Sequence, residues 1–128
     1  RDEGTSYHYL PPSQFSAINP KLLERLKGVF EKSQPPVFQG ATWTTDAPFR
    51  ETETAIADRR SEGILGVEME ASALYAFAEA KHHPVICFAH ITNQMGNVEN
   101  DFEKGEAQGS LDAIKVISQA AFNAIGKS

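Results

Sequence analysis

Apolar and polar positions along the chain alternate between two kinds of pattern. Leu22, Leu26, Val29 and Phe30 recur at helical spacing behind Asn19-Pro20. That pair starts a helix well, with asparagine as N-cap and proline in the first helical position, so a helix is expected to about Glu31. Val37 to Thr44 reads as a strand, followed by a turn at Asp46-Ala47-Pro48, and Glu51 to Ser61 as a polar helix with little apolar face. Ile64 to Val67 is a short apolar run of the buried-strand kind. Two apolar stripes then overlap from Ala71 to Lys81, which predicts a helix buried nearly all round. Lys81, His82 and His83 complement its C-terminal dipole and Pro84 ends it. Val85 to Ile91 is continuously apolar apart from His90, as in a strand covered on both faces. Strand, helix and strand over this span predict a βαβ unit. Leu111 to Ile125 closes as a helix with the stripe Ile114, Ile117, Ala121 and Ile125, capped by Gly126. Arg1 to Leu10, stopped by Pro11-Pro12, reads as a further strand.

Composition narrows the classes. The 128 residues suffice for one domain with a core; 41% are hydrophobic and 23% charged, an ordinary soluble balance. The net charge of -5 argues against a nucleic-acid partner. No apolar run reaches membrane-spanning length, and no targeting segment is legible. The single cysteine, Cys87, lies in an apolar run and reads as a buried small residue in a reducing, cytoplasmic setting. The chain opens on Arg1 rather than methionine, which suggests a piece of a longer protein.

The chemistry concentrates where predicted strands end. In a βαβ unit the loops after the strands' carboxyl ends share one side, and ligands bind there. Met69 and Glu70 follow the first strand; Thr92 and Asn93 follow the second. A carboxylate suits vicinal sugar hydroxyls, a methionine suits a sugar ring face, and a carboxamide can both donate to and accept from a heterocyclic base. The structural alternative is that Glu68 and Glu70 only favour a helix N-terminus, that Met69 fills a gap and that Asn93 is a turn residue. His90 on an apolar strand reads as a core histidine. His8, His82, His83 and His90 lack the spacing of a metal site, and no metal is expected. No phosphate-loop, dinucleotide or nucleophile-elbow pattern is present.

Gly66-Val67-Glu68-Met69-Glu70-Ala71-Ser72 before an alanine-rich helix resembles the ribose-binding signature of the nucleoside phosphorylase superfamily. Arg1 to Pro12 resembles a strand region of uridine-phosphorylase-like members, Trp43 to Thr52 the base-site segment, and Val85 to Asn93 the strand leading to the base-contacting loop. The resemblance implies an α/β fold, a mixed central sheet flanked by helices in three α/β/α layers. It implies that residues 1–128 form one incomplete domain, the C-terminal portion, without the N-terminal phosphate-binding half.

The implied activity is nucleoside phosphorylase, a pentosyltransferase of purine or pyrimidine salvage that takes phosphate as co-substrate and no cofactor. The implied partners are nucleoside and phosphate, with no nucleic acid and no membrane, in a homo-oligomer. Glu70 would hold the ribose hydroxyls, Met69 would pack on the sugar, and Glu68 would support them. Phe49 would stack near the base, with Thr92 and Asn93 on the base side and Asn93 in the catalytic place. Hexameric purine-specific members carry an acid where Asn93 stands. No Gln-x-Arg pair follows Phe49, as it would for uracil readout. A hydrolytic nucleosidase, and an inactive remnant serving as a binding or assembly module, remain alternative expectations.

Overall fold

The computed structural model describes residues 1–92 and 109–125. They divide into two compact units. One comprises Arg1–Asn19 with Gln39–Ala89, and the other Pro20–Phe38 with the described residues from His90 onward.

The first unit is built on a parallel pair of strands, β1 (Thr42–Thr44) and β2 (Gly66–Glu68). Thr42 lies opposite Gly66, Trp43 opposite Val67 and Thr44 opposite Glu68. Two further backbone bonds extend the ladder, Leu65 N–H to the Ala41 carbonyl at 2.9 Å and Thr45 N–H to the Glu68 carbonyl at 3.0 Å. Helix α2 (Glu53–Ser61) supplies the crossover that parallel strands need. The Thr52 hydroxyl caps it by accepting from Ala55 N–H at 3.2 Å. No residue of α2 is buried, in keeping with its polar sequence. The Arg59 guanidinium lies 5.5 Å from the centre of the Trp43 ring and ties the helix to β1.

The expected βαβ unit therefore exists one element earlier than the apolar runs imply. Val85 to Ile91 forms no strand. Its Cys87 N–H donates to the Tyr75 hydroxyl at 3.0 Å rather than to a neighbouring backbone, and Phe88 and Ile91 are exposed. Arg1 to Leu10 is also not a strand: Thr5–His8 is a 3₁₀ turn, and Asp2 meets the end of β1 through an isolated bridge with Thr45 and a bond from the Trp43 indole N–H at 3.1 Å. The Glu3 carboxylate accepts from Ser6 N–H at 2.9 Å, and this local bond favours the turn over an extended segment.

Helix α3 (Ala71–Lys81) has the expected span. It packs on β1 and on the 3₁₀ turn, where Tyr9 meets Phe77 edge to face at 5.6 Å. Its expected all-round burial is not seen: Ser72 and Ala76 are buried, whereas Leu74 is 45% exposed. The helix ends in a Schellman motif. His82 takes the left-handed conformation (φ 55°, ψ 40°), its N–H donates to the Glu79 carbonyl, and His83 N–H donates to the Ala78 carbonyl. Glycine adopts this conformation without the Cβ penalty, so His82→Gly is expected to stabilise the protein by about 1 kcal/mol. A higher midpoint in thermal unfolding checks this.

In the second unit, α1 (Pro20–Arg25) begins at the expected proline but stops short of Glu31. The chain continues in i→i+3 turns, and Gly28 takes φ 77°, which no helix tolerates. Leu22 is buried on α1, and Leu26 is buried just beyond its end. Helix α4 (Ser110–Ile125) packs against α1, and Arg25 donates to the Ala124 carbonyl at 2.7 Å. Its buried residues are Val116 and Ala120; Ile114, Ile117 and Ile125 of the expected stripe are exposed. The helix is apolar over a wide arc, so periodicity alone does not select the packed face. Gly126 lies outside the described residues. Among the described residues, no helix is long and apolar enough to cross a membrane.

Candidate functional site

Strand β2 ends on Glu68, and α3 begins three residues later. The intervening turn is organised by the Glu68 carboxylate. One oxygen, Oε1, accepts from the Thr42 hydroxyl at 3.0 Å and from the Thr44 hydroxyl. The other, Oε2, accepts from Glu70 N–H at 2.8 Å and Ala71 N–H at 2.6 Å. The threonines stand two residues apart on β1 and so share a face of the strand. Glu68 thus satisfies the first amides of α3 and sets a negative charge at the positive end of its dipole. It performs the capping that Glu70, the N-cap residue by position, leaves undone.

Glu70 is thereby spared. Its side chain is exposed, and Oε2 accepts only a longer bond from Met69 N–H, at 3.3 Å. Met69 beside it is 47% exposed. The turn therefore presents a carboxylate and a thioether side by side, on a backbone fixed by the half-buried Glu68.

Behind the turn lies a polar core that the sequence pattern does not announce. Thr44 Oγ1 accepts from Ser72 N–H at 3.1 Å. The Ser72 hydroxyl donates to Glu3 Oε1 at 2.6 Å, and Ser6 N–H donates to Glu3 Oε2. Glu3, Ser6, Thr44, Thr45 and Ser72 are all buried. Among the described residues no buried side-chain nitrogen or oxygen lacks a partner. The one sequence signal was the alternation of Thr42 and Thr44 on a strand; the pairing of Glu3 with Ser72 is too distant in the chain to be read from local pattern.

Burial by itself raises the Glu3 pKa, but the hydrogen bonds from Ser6, Ser72 and Thr5 outweigh it, and the carboxyl sits below its ordinary value of 4.5. A carboxyl with a lowered folded pKa adds stability that is complete above the unfolded value. That stability is lost as pH falls below 4.5 through the folded pKa. Glu3→Gln is accordingly expected to flatten the acid limb of the stability curve below pH 4.5. Urea unfolding at stepped pH measures this.

Phe49 belongs to a 3₁₀ turn, Pro48–Arg50, that follows β1. It is 87% exposed. The approach to this turn is tied down, with Ala47 N–H donating to the Thr45 hydroxyl at 3.2 Å and Gly4 N–H donating to Asp46 Oδ2 at 3.1 Å. Because β1 and β2 are parallel neighbours, the Phe49 turn and the Met69-Glu70 turn leave the same end of the sheet, the carboxyl end. Thr92 is half-buried and belongs to the second unit. Asn93 lies outside the described residues.

Other expected features stand elsewhere. His90 is exposed, not a core histidine, because the run that carries it makes no strand. Cys87 is half-buried, and burial raises its pKa. Burial likewise pushes the Tyr75 hydroxyl up to about 12. Among the described residues no cluster of histidine, cysteine and carboxylates could hold a metal. A cavity of about 140 Å³ beside Trp43 contains none of the expected site residues. Its guanidinium groups are spent on the protein: Arg59 pairs with Glu62 at 2.9 Å, and Arg1 donates to the Ser6 hydroxyl and to the Leu10 and Pro11 carbonyls.

Searches of curated proteins and of solved structures gave no match. A family model described as the phosphorylase superfamily matches residues 1–121. With the match running from the first residue almost to the last, and with a carboxylate turn and an aromatic turn at one end of a parallel α/β sheet, the chain belongs to the phosphorylase superfamily, the superfamily of the nucleoside phosphorylases.

Proposed function

We propose that this chain binds a ribonucleoside at the carboxyl end of β1 and β2, and that it serves transfer of the pentosyl group to phosphate. The family supports an enzyme of the nucleoside phosphorylase or hydrolase type. The observation that carries the finer reading is the exposed Glu70 carboxylate beside the exposed Met69, on a turn that Glu68 holds. Glu70 accepts hydrogen bonds from the ribose 2′ and 3′ hydroxyls, and Met69 covers an apolar face of the sugar. Phe49, which follows the adjacent strand, stacks on the base. The resemblance of Val85 to Asn93 to the strand leading to the base-contacting loop is what assigns Thr92 and Asn93 to the base.

In the reaction a phosphate oxygen bonds to C1′ as the C1′–N bond breaks. The base leaves with the bonding electrons and takes up a proton. Positive charge develops on the sugar between the two events, and fixed acceptors stabilise it. Phosphate is co-substrate and no cofactor enters.

Incubation with inosine, adenosine, guanosine or uridine tests this, with and without phosphate. The expected result is phosphate-dependent release of base together with ribose 1-phosphate. Free ribose in the absence of phosphate identifies the hydrolytic nucleosidase instead. Failure of every ribonucleoside to bind overturns the reading. Asn93→Asp is expected to change the pH profile of the preferred base, since aspartate titrates and asparagine does not; identical profiles would remove Asn93 from the site.

A further inference from the structure

Glu70 touches little of the protein, so something else must fix where its carboxylate points. The turn that bears it is held from below by Thr44. This one buried hydroxyl joins three elements: it sits on β1, donates to the Glu68 carboxylate at the end of β2, and accepts from Ser72 N–H in the first turn of α3. Glu68 in turn takes the amides of Glu70 and Ala71. Glu3 adds a second tie from the N-terminal segment, accepting from the Ser72 hydroxyl at 2.6 Å.

We infer that Thr44, backed by Glu3, is a positioning residue that fixes the Glu70 carboxylate for a pair of vicinal ribose hydroxyls. This rests on the ribose reading above and extends it to two residues that touch no ligand. The physical basis is the stiffness of a saturated polar chain. Every member has a partner, so the turn has no alternative set of bonds to adopt. Thr44→Val preserves shape but takes the acceptor from the buried Ser72 N–H and leaves Glu68 Oε1 to Thr42 alone. A buried polar group so stranded costs enough to release the turn. Glu70 then samples several directions, and an acceptor aimed at two hydroxyls suffers more than a surface that meets a ring face.

The consequence is selective. A ligand lacking both hydroxyls makes no demand on Glu70. Loss of Thr44 should therefore weaken binding of a ribonucleoside and spare its 2′,3′-dideoxy counterpart. General damage to the fold would weaken both in proportion.

The test measures, by titration calorimetry, the preference of the chain for inosine over 2′,3′-dideoxyinosine and for uridine over 2′,3′-dideoxyuridine. Wild type, Thr44→Val, Thr44→Ser, Glu3→Gln and Glu70→Gln are compared. Thr44→Val is expected to reduce the preference about tenfold, the lower part of the range for an unpaired buried group. Thr44→Ser, which restores the hydroxyl, is expected to recover it. Hydrogen exchange at the Glu70 and Ala71 amides is expected to quicken in Thr44→Val alone of the two threonine variants. If circular dichroism shows that Thr44→Val does not fold, Glu3→Gln carries the same decision, with a smaller loss of preference. An unchanged preference in the folded Thr44 variant, or in Glu3→Gln where that variant decides, overturns the inference while a preference lost in Glu70→Gln leaves the ribose reading standing. A preference retained in Glu70→Gln, or absent in wild type, overturns the ribose reading itself.

Discussion

Replacing Glu70 by glutamine should cut kcat/KM for ribonucleosides by roughly ten- to a hundredfold and leave the fold intact. The size follows from what the substitution removes. A hydrogen bond to an ionised acceptor contributes about 1.5–3 kcal/mol, and a neutral carboxamide recovers only part of that. The carboxylate is exposed and takes one long bond from Met69 N–H, so little structure depends on it. Unfolding curves of wild type and variant should therefore superimpose while the kinetics diverge. Wild-type kcat/KM in Glu70→Gln would sink the ribose assignment.

Two residues earlier, the opposite behaviour is expected. Glu68→Ala removes the acceptor shared by Thr42, Thr44, Glu70 N–H and Ala71 N–H. The N-terminus of α3 loses its cap, and the join between β1, β2 and the helix comes apart. A loss of about 3 kcal/mol is expected, a large part of the stability of a small domain. Glu68→Gln should fall between, because an amide can accept from one side only and brings a donor where another acceptor is needed. Denaturant midpoints separate the three proteins. An unmoved midpoint in Glu68→Ala would show that the turn stands without its carboxylate. The sequence GVEME thus contains two acids of different work, one turned to the protein and one left to the solvent.

The resemblance set Glu70 apart from a supporting Glu68, but local pattern did not show that Glu68 is the cap. A glutamate at a helix N-terminus reads the same whether it caps or waits for a ligand. The partners of Glu68 lie on a strand 24 and 26 residues away. Local signals did fare well. The start of α1 at Pro20 and the span of α3 depend on bonds within a few residues, and they stand where expected. Long apolar runs misled. Val85 to Ile91 has the composition of a covered strand, but a strand needs a neighbour, and Cys87 N–H bonds a side chain instead. The stripe on α4 failed in the same way: which face packs is decided by α1, not by periodicity. The buried set of Glu3, Ser6, Thr44 and Ser72 escaped notice because polar side chains ordinarily face water and their partners here lie in distant segments.

The account turns on a ribose held by Glu70 and Met69 at the carboxyl end of a parallel pair. A crystal structure of the chain with its preferred ribonucleoside tests that most directly. The expected density places the 2′ and 3′ hydroxyls at about 2.5–2.7 Å from the Glu70 carboxylate, the usual length for a hydroxyl donating to an ionised carboxylate, with the sugar against Met69. A nucleoside bound elsewhere, or bound at this rim with its ribose turned away from Glu70, would contradict it.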